Sequence, residues 1–376
     1  MCRRAKLSSK NGTNVNLFGR STAKYVAVAA AVILVIAGLG IYTTWQNTSP
    51  PADTTKTTTK EPALPASTPK STPQEAITIR YLSSPPFDLW DFANKLGYLK
   101  GITLTSVGIH TGGPAAIIAA SSGSIDIGGS HLIPIINAKD QGVAIKIIAG
   151  LGGNSRGVLG ISHDFSLTVL QNSSIQSPKD LVGKKIGVNI LGGSAEYFIR
   201  SYLERDNIPK DKVQLVVLPT LQAEQALRQG QVDGIMVGAQ IFDMILAKGG
   251  VKVVFTCNDI VGDNKAQGVL FVSEQFLKEK PEAARRLTEA VAKVIDWTRE
   301  HPKEARELAI NITIEKGGNP DLAKYWNGFG AKEHGLLTDE DSQFWLDWLG
   351  KEGIIKEGQL KPSDIYTNEY NPYYKK

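Results

Sequence analysis

Three short runs of small residues stand where the chain reads as passing from strand to helix: Thr111-Gly112-Gly113, Gly128-Gly129-Ser130 and Gly192-Gly193-Ser194. Glycine lets a backbone approach a ligand closely and present its N–H groups. A helix start adds unpaired N–H donors and about half a positive charge. Ser and Thr contribute neutral hydroxyls. Donors of this kind, gathered in one cleft, suit an anionic or polar head group. Each run alone reads more readily as a helix cap or tight turn; their recurrence at equivalent places brings ligand binding level with that reading. None continues into GxGxxG with an acid downstream or into GxxxxGK[ST], so dinucleotide and P-loop chemistry are not indicated.

A fourth loop, Ser83-Ser84-Pro85-Pro86-Phe87, follows the first strand. Ser83 and Ser84 are candidate ligand contacts, and Phe87 or Trp90 a candidate cover. Helix capping and core packing are the alternatives, the latter favoured for Trp90. His131 follows a Gly-Gly-Ser run and is either structural or a donor to an anion. There is no G-x-S-x-G elbow and no HExxH. The cysteines are Cys2 and Cys257, with no CxxC and no nearby His. Cys257 ends the apolar run Val251–Cys257 and reads as a buried thiol. No cofactor, no metal site and no catalytic constellation is expected.

The elements that must position these loops alternate. Ile77–Leu82 and Ile102–Ile109 read as strands, with a helix Phe87–Leu96 between them. Pro114 opens a helix that runs to about Ala120. Ile125–Ile127 is a short strand ending in the Gly128 loop. A helix to about Lys139 and the strand Val143–Ala149 follow. A second unit repeats the plan with strands at Lys185–Asn189, Val213–Val217 and Gly234–Val237. Helices at Ala195–Glu204 and, capped by Thr220, Leu221–Gln229 join them. The result is an α/β body with mostly parallel strands.

Arg156–Ser162 (RGVLGIS) and Gln267–Ser273 (QGVLFVS) resemble each other and bracket the second unit. Paired antiparallel, they would make a two-strand hinge between two lobes. Lobe 1 is then 77–161 with 268–376, and lobe 2 is 162–267. The tail beyond is mainly helical: Pro281–Arg299, Lys303–Ile310, Pro320–Phe329 and Asp339–Leu349.

The body carries no sign excess. The chain totals +5, but residues 1–24 hold six basic and no acidic residue, which leaves the remainder at −1. A nucleic-acid partner is therefore not expected. Tyr25–Trp45 is uncharged and long enough to cross a bilayer, with positive charge before it and Tyr42 and Trp45 at its far end. It reads as a transmembrane helix, an anchor or uncleaved signal, with a cleaved signal peptide as the competing reading. Residues 1–24 would be cytoplasmic and the body extracytoplasmic. The Thr/Pro-rich stretch 46–76 reads as a disordered tether.

The body resembles the SsuA/TauA/NMT1-like substrate-binding proteins of ABC importers for nitrate, sulfonates, taurine and related compounds. The resemblance covers about 77–315. It rests on Thr111-Gly-Gly-Pro-Ala-Ala, Ser122-Gly-Ser-Ile-Asp-Ile-Gly128, Ser177-Pro-Lys-Asp-Leu-Val-Gly-Lys-Lys-Ile-Gly187, Ala226-Leu-Arg-Gln-Gly-Gln-Val-Asp-Gly234 and Phe276-Leu-Lys-Glu-Lys-Pro281, in that order. It implies a two-lobed type II periplasmic-binding fold, a small-molecule ligand, an ABC permease as partner, a monomer and no catalysis. Carried over by position, the implied contacts are Ser83, Ser84, Thr111, Gly112, Gly113, Ser130, Gly193, Ser194 and the segment from Val237 through Gly238 to Gln240. Where the family often has an aromatic, Glu and Pro after the equivalent of Met236-Val237, this chain has Gly238-Ala239-Gln240. Two other classes compete. Thiamine-pyrimidine synthases share the scaffold but carry a Cys-rich motif that this body lacks. A ligand-sensing ectodomain would need a cytoplasmic output partner.

Overall fold

The computed structural model describes residues 76–154 and 165–375. The basic tail, the apolar segment 25–45, all but the last residue of the tether, the expected hinge strand 156–162 and the expected lobe boundary at 161/162 lie outside them. Among the described residues no helix is long and apolar enough to cross a membrane.

The chain opens with β1 (Ile77–Ser83), α1 (Leu89–Lys95), β2 (Ile102–Ile109), α2 (Gly113–Ser121), β3 (Ile127–His131), α3 (Leu132–Asp140) and β4 (Ile145–Gly153). Next come β5 (Ser166–Leu170), β6 (Lys185–Val188), α4 (Ser194–Glu204), β7 (Gln214–Val217), α5 (Ala223–Arg228), β8 (Gly234–Val237), α6 (Ala239–Lys248), β9 (Val251–Thr256) and α7 (Asn258–Val261). Then follow β10 (Ala266–Ser273) and the helices α8 (Glu274–Glu279), α9 (Pro281–Glu300), α10 (Pro302–Glu315), α11 (Asp339–Lys351) and α12 (Pro362–Ile365).

The strands form two sheets of one plan. The second sheet runs β7-β6-β8-β5-β9. Its β6 is parallel to β7 and β8, while β5 is antiparallel to β8 and β9. In the first, β1 pairs with β2 in parallel, and β10 lies antiparallel between β3 and β4. Asp126 stitches the two parts together: its N–H donates to Arg80 O at 2.9 Å, and its Oδ2 accepts from Arg80 N at 2.8 Å. The order is thus β2-β1-β3-β10-β4, the same as in the second sheet with β10 in the place of β5. We refer to the material around each sheet as lobe 1 and lobe 2. Each antiparallel strand, β5 or β10, is the first described strand after the chain changes lobe.

At the return crossing, Asn154 is wholly buried, accepts from Lys265 N at 2.6 Å and donates through Nδ2 to Gly262 O at 2.7 Å. An apolar cluster beneath lobe 1 joins Phe92, Ile148 and Leu287. A larger one crosses between lobes, from Ile133 and Ile147 to Leu167, Phe198 and Trp345. Helix α11, last of the long helices, packs on α4 of lobe 2, with Trp345 5.2 Å from Phe198 and Trp348 6.2 Å from Tyr197, ring centre to centre.

Several expectations change. Gly128-Gly129-Ser130 is not a loop but the middle of β3. A Cβ on Gly128 would fall 2.4 Å from the Phe271 ring of β10, so the glycine serves close strand packing there. The sheets are mixed because the crossing strands run opposite to the rest. The helix expected at Pro320–Phe329 shrinks to a 3-10 turn at Ala323–Tyr325, since Gly328 and Gly330 take positive φ of 104° and 65°. Thr220 starts a 3-10 turn over Thr220–Gln222 instead of capping α5. Cys257 is buried, as expected of a thiol closing an apolar run.

Candidate functional site

A cleft of about 390 Å³ opens at the carboxyl ends of the parallel strands of both sheets. Lobe 1 supplies Ser84 after β1, His110 and Thr111 after β2, and Gly112 and Gly113 at the start of α2. It adds Ser130 and His131 at the end of β3. Lobe 2 supplies Asn189 and Ile190 after β6, Gly193 and Ser194 at the start of α4, and Thr220 after β7. Leu82, Trp90, Leu151, Phe165 and Leu270 give the cleft an apolar body.

Two helices begin here, and neither cap position provides a side-chain acceptor. Gly112 caps α2, with Pro114 in the first turn, and Gly193 caps α4. Their first N–H groups therefore remain available to a ligand. Glu196 accepts from Gly192 N at 2.7 Å and pairs with Arg200, which settles the turn before α4. Ser194 is only 5% exposed, and its Oγ has no hydrogen-bond partner among the described residues. Leaving such a hydroxyl unpaired costs about 1–3 kcal/mol, which a ligand acceptor would recover.

The lobes approach each other within the cleft at Ile190, and His131 of lobe 1 lies 5.2 Å from Phe165 of lobe 2, ring centre to centre. A Cβ on Gly112 would lie 3.5 Å from Ile190 Cδ1, and one on Gly193 would lie 2.7 Å from Ile190 Cγ2. Gly112 also holds φ at +149°, where a side chain is strained. Gly113 abuts Ser130 so closely that a Cβ there would stand 2.2 Å from Ser130 Oγ.

The titratable groups are set by burial. His110 Nε2 lies 3.0 Å from Gly129 O, which can only accept, so Nε2 carries a proton. Burial lowers its pKa, with the Gly129 carbonyl opposing and His131 reinforcing. His110 is thus a neutral donor at neutral pH. Asp88 caps α1, accepting from Ser84 N at 3.1 Å and Trp90 N at 3.0 Å. Burial pushes its carboxyl up to about 6 and the charge of Asp91 adds to the rise, while the bond from Ser84 N, the charge of Lys316 and the bond from Asp91 N oppose it. No Lys or Arg lines the cleft among the described residues.

Nine candidate contacts singled out in the sequence therefore line one cleft: Ser84, Trp90, Thr111, Gly112, Gly113, Ser130, His131, Gly193 and Ser194, with Gly128 and Gly129 beside them. Five do not. Ser83 faces the edge strand, where its hydroxyl donates to Gly108 O at 3.3 Å and accepts from Ser106 Oγ at 3.0 Å. Phe87 is in the lobe 1 core, 5.4 Å from the Trp326 ring. Val237 belongs to a small core in lobe 2. Gly238 and Gln240 cap and open α6, away from the cleft walls.

Residues 92–305 match the model of the NMT1/THI5-like family. The chain belongs to that family. A binding protein of Brucella abortus is 23% identical to this NMT1/THI5-like chain over 273 residues, which cover 70% of this chain and 80% of that one. A Bacillus subtilis protein named for binding aliphatic sulfonates is 28% identical over 200 residues, 53% of this chain and 57% of its own length. The alkanesulfonate-binding protein SsuA from Xanthomonas axonopodis, solved with MOPS bound, superposes with a TM-score of 0.60. That pair is 15% identical, and the match covers 78% of this chain and 99% of that one. The nitrate-binding protein NrtA from Synechocystis gives 0.57 at 15% identity, over 79% of this chain and 87% of that one. The fold is the α/β periplasmic-binding-protein fold.

Within this NMT1/THI5-like chain, sequence reasoning missed His110, Asn189, Ile190 and Thr220. His110, Asn189 and Ile190 follow β2 or β6 directly and Thr220 comes three residues after β7, so the rule that ligands gather at strand carboxyl ends would have found them. Phe165 and Leu270 carry no such signal, because they enter from the two antiparallel strands and their flanks.

Proposed function

We propose that this chain is the extracytoplasmic solute-binding protein of an ABC importer. It captures a small anionic or polar ligand of the nitrate, sulfonate or taurine class between two closing lobes, and it is not an enzyme. The reading rests on one observation. Two helix N-termini without side-chain caps, one from each lobe, open into a shared cleft beside the buried, unpartnered Ser194 hydroxyl. Thr111, Ser84 and Ser130 add neutral donors, and the backbone at Gly112, Gly113 and Gly193 is the closest surface to the head group. His131 lies at the lobe 1 wall. Relatives named as binding proteins, one of them for aliphatic sulfonates, support the same class.

In this proposal the segment 25–45 anchors the chain with 1–24 in the cytoplasm, 46–76 is the tether, and a permease in the same membrane receives the ligand. The decisive experiment is a thermal-shift screen of the full chain in detergent against nitrate, taurine, alkyl and aryl sulfonates, and neutral heterocycles. A compound at one hundred times its Kd stabilises a protein by about 2.7 kcal/mol. Ser194→Ala should weaken that compound about tenfold, or more, without lowering the unliganded melting point, since the hydroxyl it removes has no partner there. Failure of every class to stabilise the protein, or full affinity in Ser194→Ala, overturns the reading.

A further inference from the structure

The lobes also touch through side chains that do not line the cleft. Asp243 lies on α6, between β8 and β9 of lobe 2. Asn327 lies beyond the 3-10 turn Ala323–Tyr325, in the segment that packs under lobe 1. Asn327 Nδ2 donates to Asp243 Oδ2 at 2.8 Å. Arg306 of α10 fixes which way the amide faces: its Nη2 donates to Asn327 Oδ1 at 2.7 Å, leaving the amide nitrogen for Asp243. The same guanidinium donates through Nε to Trp326 O at 3.0 Å. Trp326 is itself clamped by Phe92 at 5.2 Å and Phe329 at 5.0 Å, ring centre to centre. An oriented, anchored amide on lobe 1 therefore meets a half-buried carboxyl on lobe 2.

We propose that Arg306, Asn327 and Asp243 form a latch between the lobes that sets how far the cleft stays closed, and through closure sets ligand affinity. The proposal rests on reading the cleft as a binding site that closes. These are positioning residues: none of them lines the cleft.

The latch is proton-linked. Burial pushes the Asp243 carboxyl up to about 6, against the bond from Asn327 and the field of Arg306. Opening the lobes returns the group to water and to the ordinary carboxylate range near 3.8. The closed form thus binds a proton that the open form releases, and closure strengthens as pH falls through about 6. For those two values the closing equilibrium gains about fourfold between pH 7.5 and 5.5. Other charges on the elements around Asp243 are engaged elsewhere. Lys324 pairs with Asp321 at 2.7 Å and Lys248 with Glu224 at 2.7 Å. Lys252 donates to Ser173 O at 2.6 Å. Arg306 is the cation whose field acts on Asp243.

The test reads lobe separation directly, without ligand. Spin labels go on the full chain in a Cys2→Ser background at two exposed positions, Ile118→Cys on lobe 1 and Leu221→Cys on lobe 2. The wild-type distance distribution should move toward the short population between pH 7.5 and 5.5, by about fourfold in population ratio. Asn327→Ala should lengthen the distance at pH 7.5 and leave the pH response in place or enlarge it, since the bond it removes opposes the burial that raises Asp243. Asp243→Asn keeps an acceptor for Asn327 without the charge, and should hold the short population at every pH. Melting curves of each variant confirm that the fold is kept. A distribution that ignores both pH and Asn327→Ala overturns the latch. Because no ligand is added, failure of the binding reading would leave this result standing, and failure of the latch would leave the thermal-shift screen untouched.

Discussion

Ile190 stands over Gly193 with its Cγ2 2.7 Å from the point a Cβ would occupy. The backbone at Gly193 is extended, with φ of −92°, so nothing but the neighbouring side chain forbids a larger residue. Gly112, on the other lobe, is the opposite case: the space before Ile190 is ordinary contact at 3.5 Å, but φ is +149°.

These two glycines should therefore respond differently to relief at Ile190. Gly193→Ala should destabilise by about 1–2 kcal/mol from the clash and the poorer cap. Adding Ile190→Ala should recover part of that loss, with a coupling of about 0.5–2 kcal/mol. Gly112→Ala should cost about 1–3 kcal/mol through backbone strain and show no such rescue. Urea unfolding of the singles and doubles measures both cycles. Equal coupling at the two sites would show that the crowding at Gly193 is not specific.

Asp88 makes stability depend on pH. Its folded pKa is raised to about 6 against an ordinary value of 3.8. Its contribution is full below about 3.8 and is lost as pH rises through about 6. Asp88→Asn keeps a good helix cap and removes the buried charge. It should stabilise the protein at pH 7.5 by about 1–3 kcal/mol, and by much less at pH 4.5. Denaturant midpoints at the two pH values decide this. A destabilised Asp88→Asn at pH 7.5 would mean that the ionised carboxylate is favoured in the fold.

Trp345 is wholly buried against Phe198, Phe344 and Trp348, yet its indole N–H has no partner among the described residues. Trp345→Ala should cost about 3–5 kcal/mol through lost packing. Trp345→Phe should cost less than about 1.5 kcal/mol, since no hydrogen bond is broken. Comparable losses for the two, read from urea midpoints, would contradict an unpaired indole.

Local chemistry was legible where a short stretch contains its own cause. The starts of α2 and α4 followed from Gly-Gly before an apolar run, and these put Gly112, Gly113, Gly193 and Ser194 on the cleft wall. Loops were less legible where neighbours decide. Nothing near Gly128 in the sequence says that Phe271, far along the chain, fills the space above it. That packing turns an apparent loop into a strand. Ser83 and Ser84 are adjacent and alike in type, but β1 ends between its edge neighbour and the cleft, and successive side chains point to opposite sides.

By itself the sequence determined the α/β alternation, the glycine-bearing helix starts and the near-neutral body, because propensity, capping and charge are written in residue type and short spacing. The tertiary structure alone decided which loops share a cleft. It also decided that Ile190 lies against glycines of both lobes, and that Asn327 reaches Asp243 from 84 residues away. Those contacts depend on how two sheets are joined and packed. That is a matter of long-range geometry, which no local pattern encodes.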